Sequence, residues 1–109
     1  MASSRDYLNF ILEQLSSLEE ITYRPMMGEY ILYYQGKMIG GIYDDRLLIK
    51  PVKSAIDYIK DPIYELPYEG AKEMLRVSDV ENADYLCQLF DIMVNDLPTP
   101  KRKRAKKSS

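Results

Sequence analysis

The chain has 109 residues, of which 46% are apolar, enough for one domain with one hydrophobic core and too few for two. It contains no histidine and a single cysteine, which excludes Ser-His and Cys-His nucleophile pairs, internal disulfides and thiolate metal clusters. There is no run of about 18 apolar residues and no apolar leader after Met1, so we expect a cytoplasmic protein that does not contact a membrane.

Charge is distributed unevenly along the chain. The 15 basic residues nearly balance 17 acidic ones, but six basic residues fall within the last nine positions, which leaves a net charge of −8 before them. We therefore expect a folded domain over residues 1–98 and a disordered basic tail over residues 99–109. The six cations of the tail are Lys101, Arg102, Lys103, Arg104, Lys106 and Lys107.

The first predicted element is an amphipathic helix with Ser3 or Ser4 as its cap and Asp6 in its first turn. Its apolar residues recur at spacings of three and four, as a helix with one buried stripe requires. These residues are Tyr7, Leu8, Ile11, Leu12, Leu15 and Leu18.

The hydrophobic period then changes to two, which predicts an antiparallel meander. Its strands are Glu29 to Tyr34, Lys37 to Tyr43 and Arg46 to Lys50, joined by turns at Gln35-Gly36 and Asp44-Asp45. With both loops two residues long, a set without basic residues is expected to face the helices: Ile31, Tyr33, Met38, Gly40, Ile42, Leu47 and Ile49. The opposite set is expected to be partly open to solvent: Tyr30, Leu32, Tyr34, Lys37, Ile39, Gly41, Tyr43, Arg46, Leu48 and Lys50.

The second half of the chain alternates short elements. We predict a helix over Ser54 to Lys60, strands over Tyr64 to Tyr68 and Lys72 to Val77, and a last helix over Asn82 to Asp96 that Pro98 ends. The order α-β-β-β-α-β-β-α predicts a two-layer α+β domain, with helices on one face of a five-stranded, mainly antiparallel sheet.

Several motifs occur in a recognisable order. Met26-Met27-Gly28-Glu29-Tyr30 is followed by the Gly36 turn and by Asp44-Asp45-Arg46-Leu47-Leu48-Ile49-Lys50, with Ser4-Arg5-Asp6-Tyr7 before and Gly70-Ala71-Lys72 after. Over roughly residues 3–97 the chain resembles the TfoX/Sxy N-terminal domain family, although Met27 and Glu29 replace its usual Phe and second Gly. The resemblance implies the same order of helices and strands, and a role in transcriptional control, since the family is named for bacterial regulators of competence genes.

Two groups of residues are candidates for binding. On the predicted open face, Tyr30, Tyr34 and Tyr43 lie near three cations, Lys37, Arg46 and Lys50. Such a face can contact a protein partner or a second copy, can stack bases, or can consist only of cross-strand pairs that stabilise the sheet. The basic tail can bind a polyanion by releasing counterions, or can only aid solubility or contact the acidic body.

No catalytic, cofactor or metal site is expected. Cys87 is expected to be a core residue, Asp44-Asp45 to form a turn, and Gly40-Gly41 to allow a β-bulge or the close approach of a helix. We therefore expect a non-enzymatic regulatory or adaptor domain that acts by protein binding. The alternatives are an accessory nucleic-acid-binding protein that uses the tail, and a structural homo-oligomer.

Overall fold

The computed structural model describes residues 5–98, in which three helices cover one side of an antiparallel sheet. The elements in chain order are α1 (Arg5–Gln14), β1 (Ile21–Met26), β2 (Glu29–Tyr34), β3 (Lys37–Tyr43), β4 (Arg46–Ile49), α2 (Lys53–Tyr58), β5 (Ile63–Glu65), β6 (Met74–Arg76) and α3 (Ala83–Met93), followed by a 3₁₀ turn, Val94–Asp96. The strand order is β1-β2-β3-β4-β6-β5. The predicted α+β class is confirmed, whereas the predicted cap at Ser3 or Ser4 and the tail at 99–109 lie outside the described residues.

The sheet has six strands rather than the predicted five, because β1 precedes the meander. Pro25 lies within this strand, and a proline lacks the N–H that a central strand needs. β1 is an edge strand and pairs only with β2, so the proline is tolerated there. Most of its residues are exposed, which is why its alternation of apolar and polar side chains is weak.

Three two-residue turns build the first four strands as consecutive hairpins. Each turn has positive φ at both central residues, as a type I′ turn requires: 53° and 84° at Met27-Gly28, 54° and 79° at Gln35-Gly36, and 54° and 56° at Asp44-Asp45. The second and third turns were predicted and are confirmed.

A β-bulge at Ile39 changes the register in the middle of the sheet. Next to the turn, Tyr33 pairs with Met38, but Leu32 pairs with Gly40, so Ile39 is an extra residue on β3. The predicted bulge is therefore confirmed.

A backbone also lies close to Gly40, as predicted, but it belongs to a neighbouring strand and not to a helix. A Cβ at Gly40 would overlap the Leu48 carbonyl oxygen and lie 2.7 Å from the Ile49 Cα, so the neighbouring strand β4 lies closest.

The bulge reverses part of the predicted face assignment. We call the sheet face that the helices cover the inner face, and the opposite one the outer face. Correctly predicted inner residues are Gly40, Ile42, Leu47 and Ile49, and correctly predicted outer residues are Gly41, Tyr43, Arg46, Leu48 and Lys50. The prediction is wrong for Tyr30, Leu32, Tyr34, Lys37 and Ile39, which lie on the inner face, and for Ile31, Tyr33 and Met38, which lie on the outer face.

The main core lies between the inner face and the helices. Leu8 and Ile11 of α1 and Phe90 of α3 are fully buried there against Leu32 and Ile49 of the sheet. The side chain of Asn82 caps α3 by accepting a hydrogen bond from the backbone N–H of Tyr85, at 3.1 Å. Within residues 5–98 no helix is both long and apolar enough to cross a membrane.

Candidate functional site

The six residues predicted to form one binding face are divided between the two sides of the sheet. The Tyr34 hydroxyl donates a 2.6 Å hydrogen bond to the Asp91 carboxylate on α3, and the Lys37 ammonium donates to the Val94 carbonyl oxygen at 3.1 Å. This hydrogen bond and the burial of Tyr34, which is 4% exposed, raise the pKa of its hydroxyl. Tyr34 and Lys37 therefore attach the end of α3 to the sheet and are not presented to a partner.

Tyr30 also lies on the inner side and belongs to a small aromatic cluster at the sheet edge. Its ring contacts that of Tyr23 edge-on, with centroids 5.9 Å apart. The Arg5 guanidinium lies over the Tyr23 ring at 5.7 Å and donates to its hydroxyl at 3.0 Å. This cluster joins α1 to β1 and β2.

The outer face carries a second, smaller core. Tyr33 and Met38 pack against its four buried residues. These four are Ile31, Tyr43, Leu48 and Met74. The Tyr43 ring lies against the open side of Gly41, where a Cβ would be 2.8 Å from its Cε2 atom. The Tyr68 ring, from the segment between β5 and β6, packs on Tyr43 with centroids 6.4 Å apart. The outer face is thus partly covered by the chain itself.

Three charged side chains form a network on this outer face. The Glu65 carboxylate accepts hydrogen bonds from Arg46 at 2.5 Å and from Arg76 at 3.1 Å. The hydrogen bond from Arg46, with a further contribution from Arg76, holds the pKa of Glu65 below its usual value. Because two guanidinium groups share one carboxylate, the network has one excess positive charge.

Two hollows flank the Tyr43 and Tyr68 rings. The methionine hollow, of about 390 Å³, is lined by these rings with Met26, Met27 and Glu29. The lysine hollow, of about 460 Å³, lies on the other side, between Lys50 and the 67–74 segment. Burial lowers the pKa of Lys50. The predicted site residues Tyr43, Arg46 and Lys50 therefore belong to this surface.

The most exposed part of the surface was not predicted from the sequence. Met27 is 96% exposed, Tyr68 60% and Met26 48%. The Met-Met-Gly sequence indicates a turn only once β1 is recognised as a strand, and the order of residues gives no sign that Tyr68 meets Tyr43.

Other features of the described residues do not suggest reaction chemistry. Within residues 5–98 no three Cys, Asp or Glu side chains are placed to hold a metal ion. Cys87 is half-buried between α1 and α3, with its Sγ 3.2 Å from the Ser17 hydroxyl and 3.4 Å from the Gln14 carbonyl oxygen. A hollow of about 600 Å³ at the N-terminus of α3 is lined by exposed polar residues, among them Asp79, Glu81 and Asp84.

Together these features define a small α+β domain with a helix-covered inner face and an aromatic, methionine-rich outer face. Residues 13–86 match the TfoX N-terminal domain, and the chain belongs to that family, as the resemblance predicted. A relative from Spirochaeta aurantia, described as an uncharacterised 12.7 kDa protein in the trpE 5′ region, is 33% identical over 107 residues, which cover 97% of this chain and 93% of the relative. No solved structure matches the chain.

Proposed function

We propose that this chain is a non-enzymatic regulatory or adaptor domain that acts by binding another protein through the outer face. The observation that carries the proposal is the position of its exposed apolar side chains. Among residues 5–98, three of the six large apolar side chains that are exposed line the methionine hollow, namely Met26, Met27 and Tyr68, and the other three lie on or next to β5. Apolar surface gathered around a hollow is typical of protein interaction sites, because its removal from water favours association.

Side-chain chemistry supports the same role. Tyrosine and methionine are enriched at protein interfaces, and methionine adapts its shape to different partners. The family is named for regulators of competence genes, so the partner we expect is a component of a transcription complex. Nucleic-acid binding through the tail and self-association stay as alternative predictions.

Site-specific cross-linking in cells of the organism that naturally makes this protein tests the proposal. A photoreactive amino acid replaces Met27, Tyr68 or Tyr64 in separate variants. Tyr64 is the matched control, because it is 44% exposed but pairs with Leu75, an inner-face residue of β6. We expect Met27 and Tyr68 to cross-link to the same protein and Tyr64 not to do so.

Retention of that protein by purified variants completes the test. Tyr68→Ser and Met27→Ser should lose it, whereas Tyr64→Ser should keep it, and circular dichroism should show all three folded. Equal cross-linking or equal retention at the outer and control positions would contradict the proposal.

A further inference from the structure

One row of cross-strand partners crosses the whole outer face. Each member pairs with the next, and the row consists of Arg24, Ile31, Gly41, Leu48, Arg76 and Ile63. Its apolar centre is buried, and an arginine lies at or near each end. Neighbouring strands are about 4.8 Å apart, so the Cα atoms of Arg24 and Arg76 are separated by about 19 Å.

Both arginines present positive charge to solvent. Arg24 is exposed, and among residues 5–98 nothing forms a hydrogen bond or an ion pair with its guanidinium. The Arg76 side chain is 45% exposed and shares Glu65 with Arg46, so its charge is only partly balanced. Arg24 lies two residues before Met26 on the same side of β1, so one cation is next to a residue that lines the methionine hollow.

The outer face is basic although the body of the protein is acidic. Among residues 5–98, the charged residues on it or lining its hollows are five basic and three acidic: Arg24, Arg46, Lys50, Lys72 and Arg76 against Glu29, Glu65 and Glu73. By contrast, residues 1–98 as a whole include nine basic and 17 acidic side chains. The field of the body therefore directs an acidic ligand to this face and away from the rest of the surface.

We propose that the segment bound on the outer face is an acidic, amphipathic stretch of a partner protein. This proposal rests on the proposed function and names the chemistry of its partner. Apolar side chains of the segment enter the methionine hollow between Met27 and Tyr68, and its carboxylates pair with Arg24 and Arg76. A span of about 19 Å corresponds to about 13 residues of helix.

Two other occupants fit the face less well. A second copy related by a two-fold axis would place the same positive face against itself. A nucleic acid would satisfy the arginines but would leave the exposed side chains of Met26 and Met27 without apolar contacts.

Fluorescence anisotropy with three labelled 14-residue peptides tests the proposal on the full chain at near-physiological salt. The first peptide has Glu on one helical face and Leu on the other, the second has Lys in place of Glu, and the third has Ser in place of Leu. The third peptide measures binding that needs only negative charge, including any contribution of the basic tail.

We expect the Glu/Leu peptide to bind at least tenfold more tightly than either of the others. Arg24→Ala and Met27→Ser should each weaken this binding about fivefold, as expected for one exposed charge pair or one apolar contact. Lys53→Ala is the matched control, since it removes an exposed cation on α2 and should change the affinity less than twofold.

The proposal fails if the Lys/Leu peptide binds as tightly as the Glu/Leu peptide, or if Arg24→Ala weakens binding no more than Lys53→Ala does. Binding of duplex DNA that depends on Arg24 would identify a nucleic-acid face instead. A dimer that Met27→Ser dissociates, as measured by light scattering, would identify a second copy as the occupant. Cross-linking at Met27 without peptide binding would leave the proposed function standing and overturn only the acidic chemistry of the partner.

Discussion

The neighbouring residues Tyr33 and Tyr34 give a direct test of the register in the sheet. Tyr34→Phe removes a hydroxyl that donates a 2.6 Å hydrogen bond to Asp91, whereas Tyr33→Phe removes a hydroxyl on the outer face for which the described residues provide no partner. Both variants retain the ring, so the packing of Tyr34 against Phe90, at 6.4 Å between centroids, is preserved. The comparison therefore isolates one hydrogen bond.

The size of the effect follows from the environment of the two partners. A hydrogen bond to a charged group contributes about 1.5–3 kcal/mol to stability. Asp91 is exposed, so water replaces the lost donor, and we expect Tyr34→Phe to destabilise the protein by about 1–2 kcal/mol. Tyr33→Phe should change stability by less than about 0.5 kcal/mol.

Urea unfolding followed by circular dichroism measures both free energies. The transition midpoint should fall for Tyr34→Phe with an unchanged slope, and Asp91→Asn should reduce the effect of Tyr34→Phe in a double-mutant cycle. Equal effects of the two tyrosine substitutions, or a larger effect at Tyr33, would refute the bulged register.

Alkaline pH provides a second reading of the same contact. The pKa of Tyr34 is raised in the folded state, chiefly by the Asp91 hydrogen bond. Its contribution to stability is therefore complete below the unfolded tyrosine pKa of about 10 and is lost as the pH rises through the higher folded value. Tyr34→Phe should remove this part of the pH dependence.

Four further predictions concern other parts of the chain. Gly40→Ala should destabilise the protein by about 1–3 kcal/mol in urea unfolding, because the added Cβ would overlap the β4 backbone. Gly70→Ala should cost about 1 kcal/mol, because its φ is +88° although no atom lies within 4 Å of the added Cβ. A larger loss for Gly70→Ala than for Gly40→Ala would contradict the close approach of β4. Asn82→Ala should cost about 1 kcal/mol by loss of the α3 cap, and an unchanged thermal midpoint would contradict that role. Because the folded pKa of Glu65 is lowered, its contribution to stability is present above the unfolded pKa of about 4.3 and is lost as the pH falls through the folded pKa. Glu65→Gln should make the free energy of unfolding depend less on pH in that acidic range, and an unchanged pH profile would argue against the network. If the six tail cations each contact one phosphate, log K for duplex DNA should fall with log salt with a slope of about −5, and deletion of residues 99–109 should abolish it; a slope that survives the deletion would assign binding to the domain.

The sequence was sufficient for the class of fold because the apolar periodicities are strong where the elements are long. The predicted stripe of the first helix includes Leu8 and Ile11, which lie in α1, and Leu15, which follows it, and all three are buried as predicted. The two predicted turns also occur, and three of their four central residues, Gly36, Asp44 and Asp45, are of types that accept positive φ. Local signals of this kind are set by residues close together in the chain.

The division of the sheet into faces could not be predicted in the same way. The extra residue Ile39 shifts the register between β2 and β3 by one position. A strict alternation of faces, carried past this point, therefore assigns the residues before the bulge to the wrong face of the sheet. Lys37 made this error harder to detect, since a cation on the inner face was unexpected. Its partner is the carbonyl oxygen of Val94, which is 57 residues away in sequence. The meeting of Tyr43 and Tyr68 depends in the same way on a long-range contact.

These placements change which substitutions can test the proposed function. Tyr34 and Tyr43 are both 4% exposed, so replacing either by alanine removes buried packing, and any loss of binding would be confounded with unfolding. Met27 and Tyr68 border the same hollow from positions that are 96% and 60% exposed. Substitutions at these two residues change what the outer face offers to a partner while leaving the inner core intact. Loss of binding in Met27→Ser or Tyr68→Ser, with the free energy of unfolding unchanged, would therefore separate the interaction surface from the residues that maintain the fold.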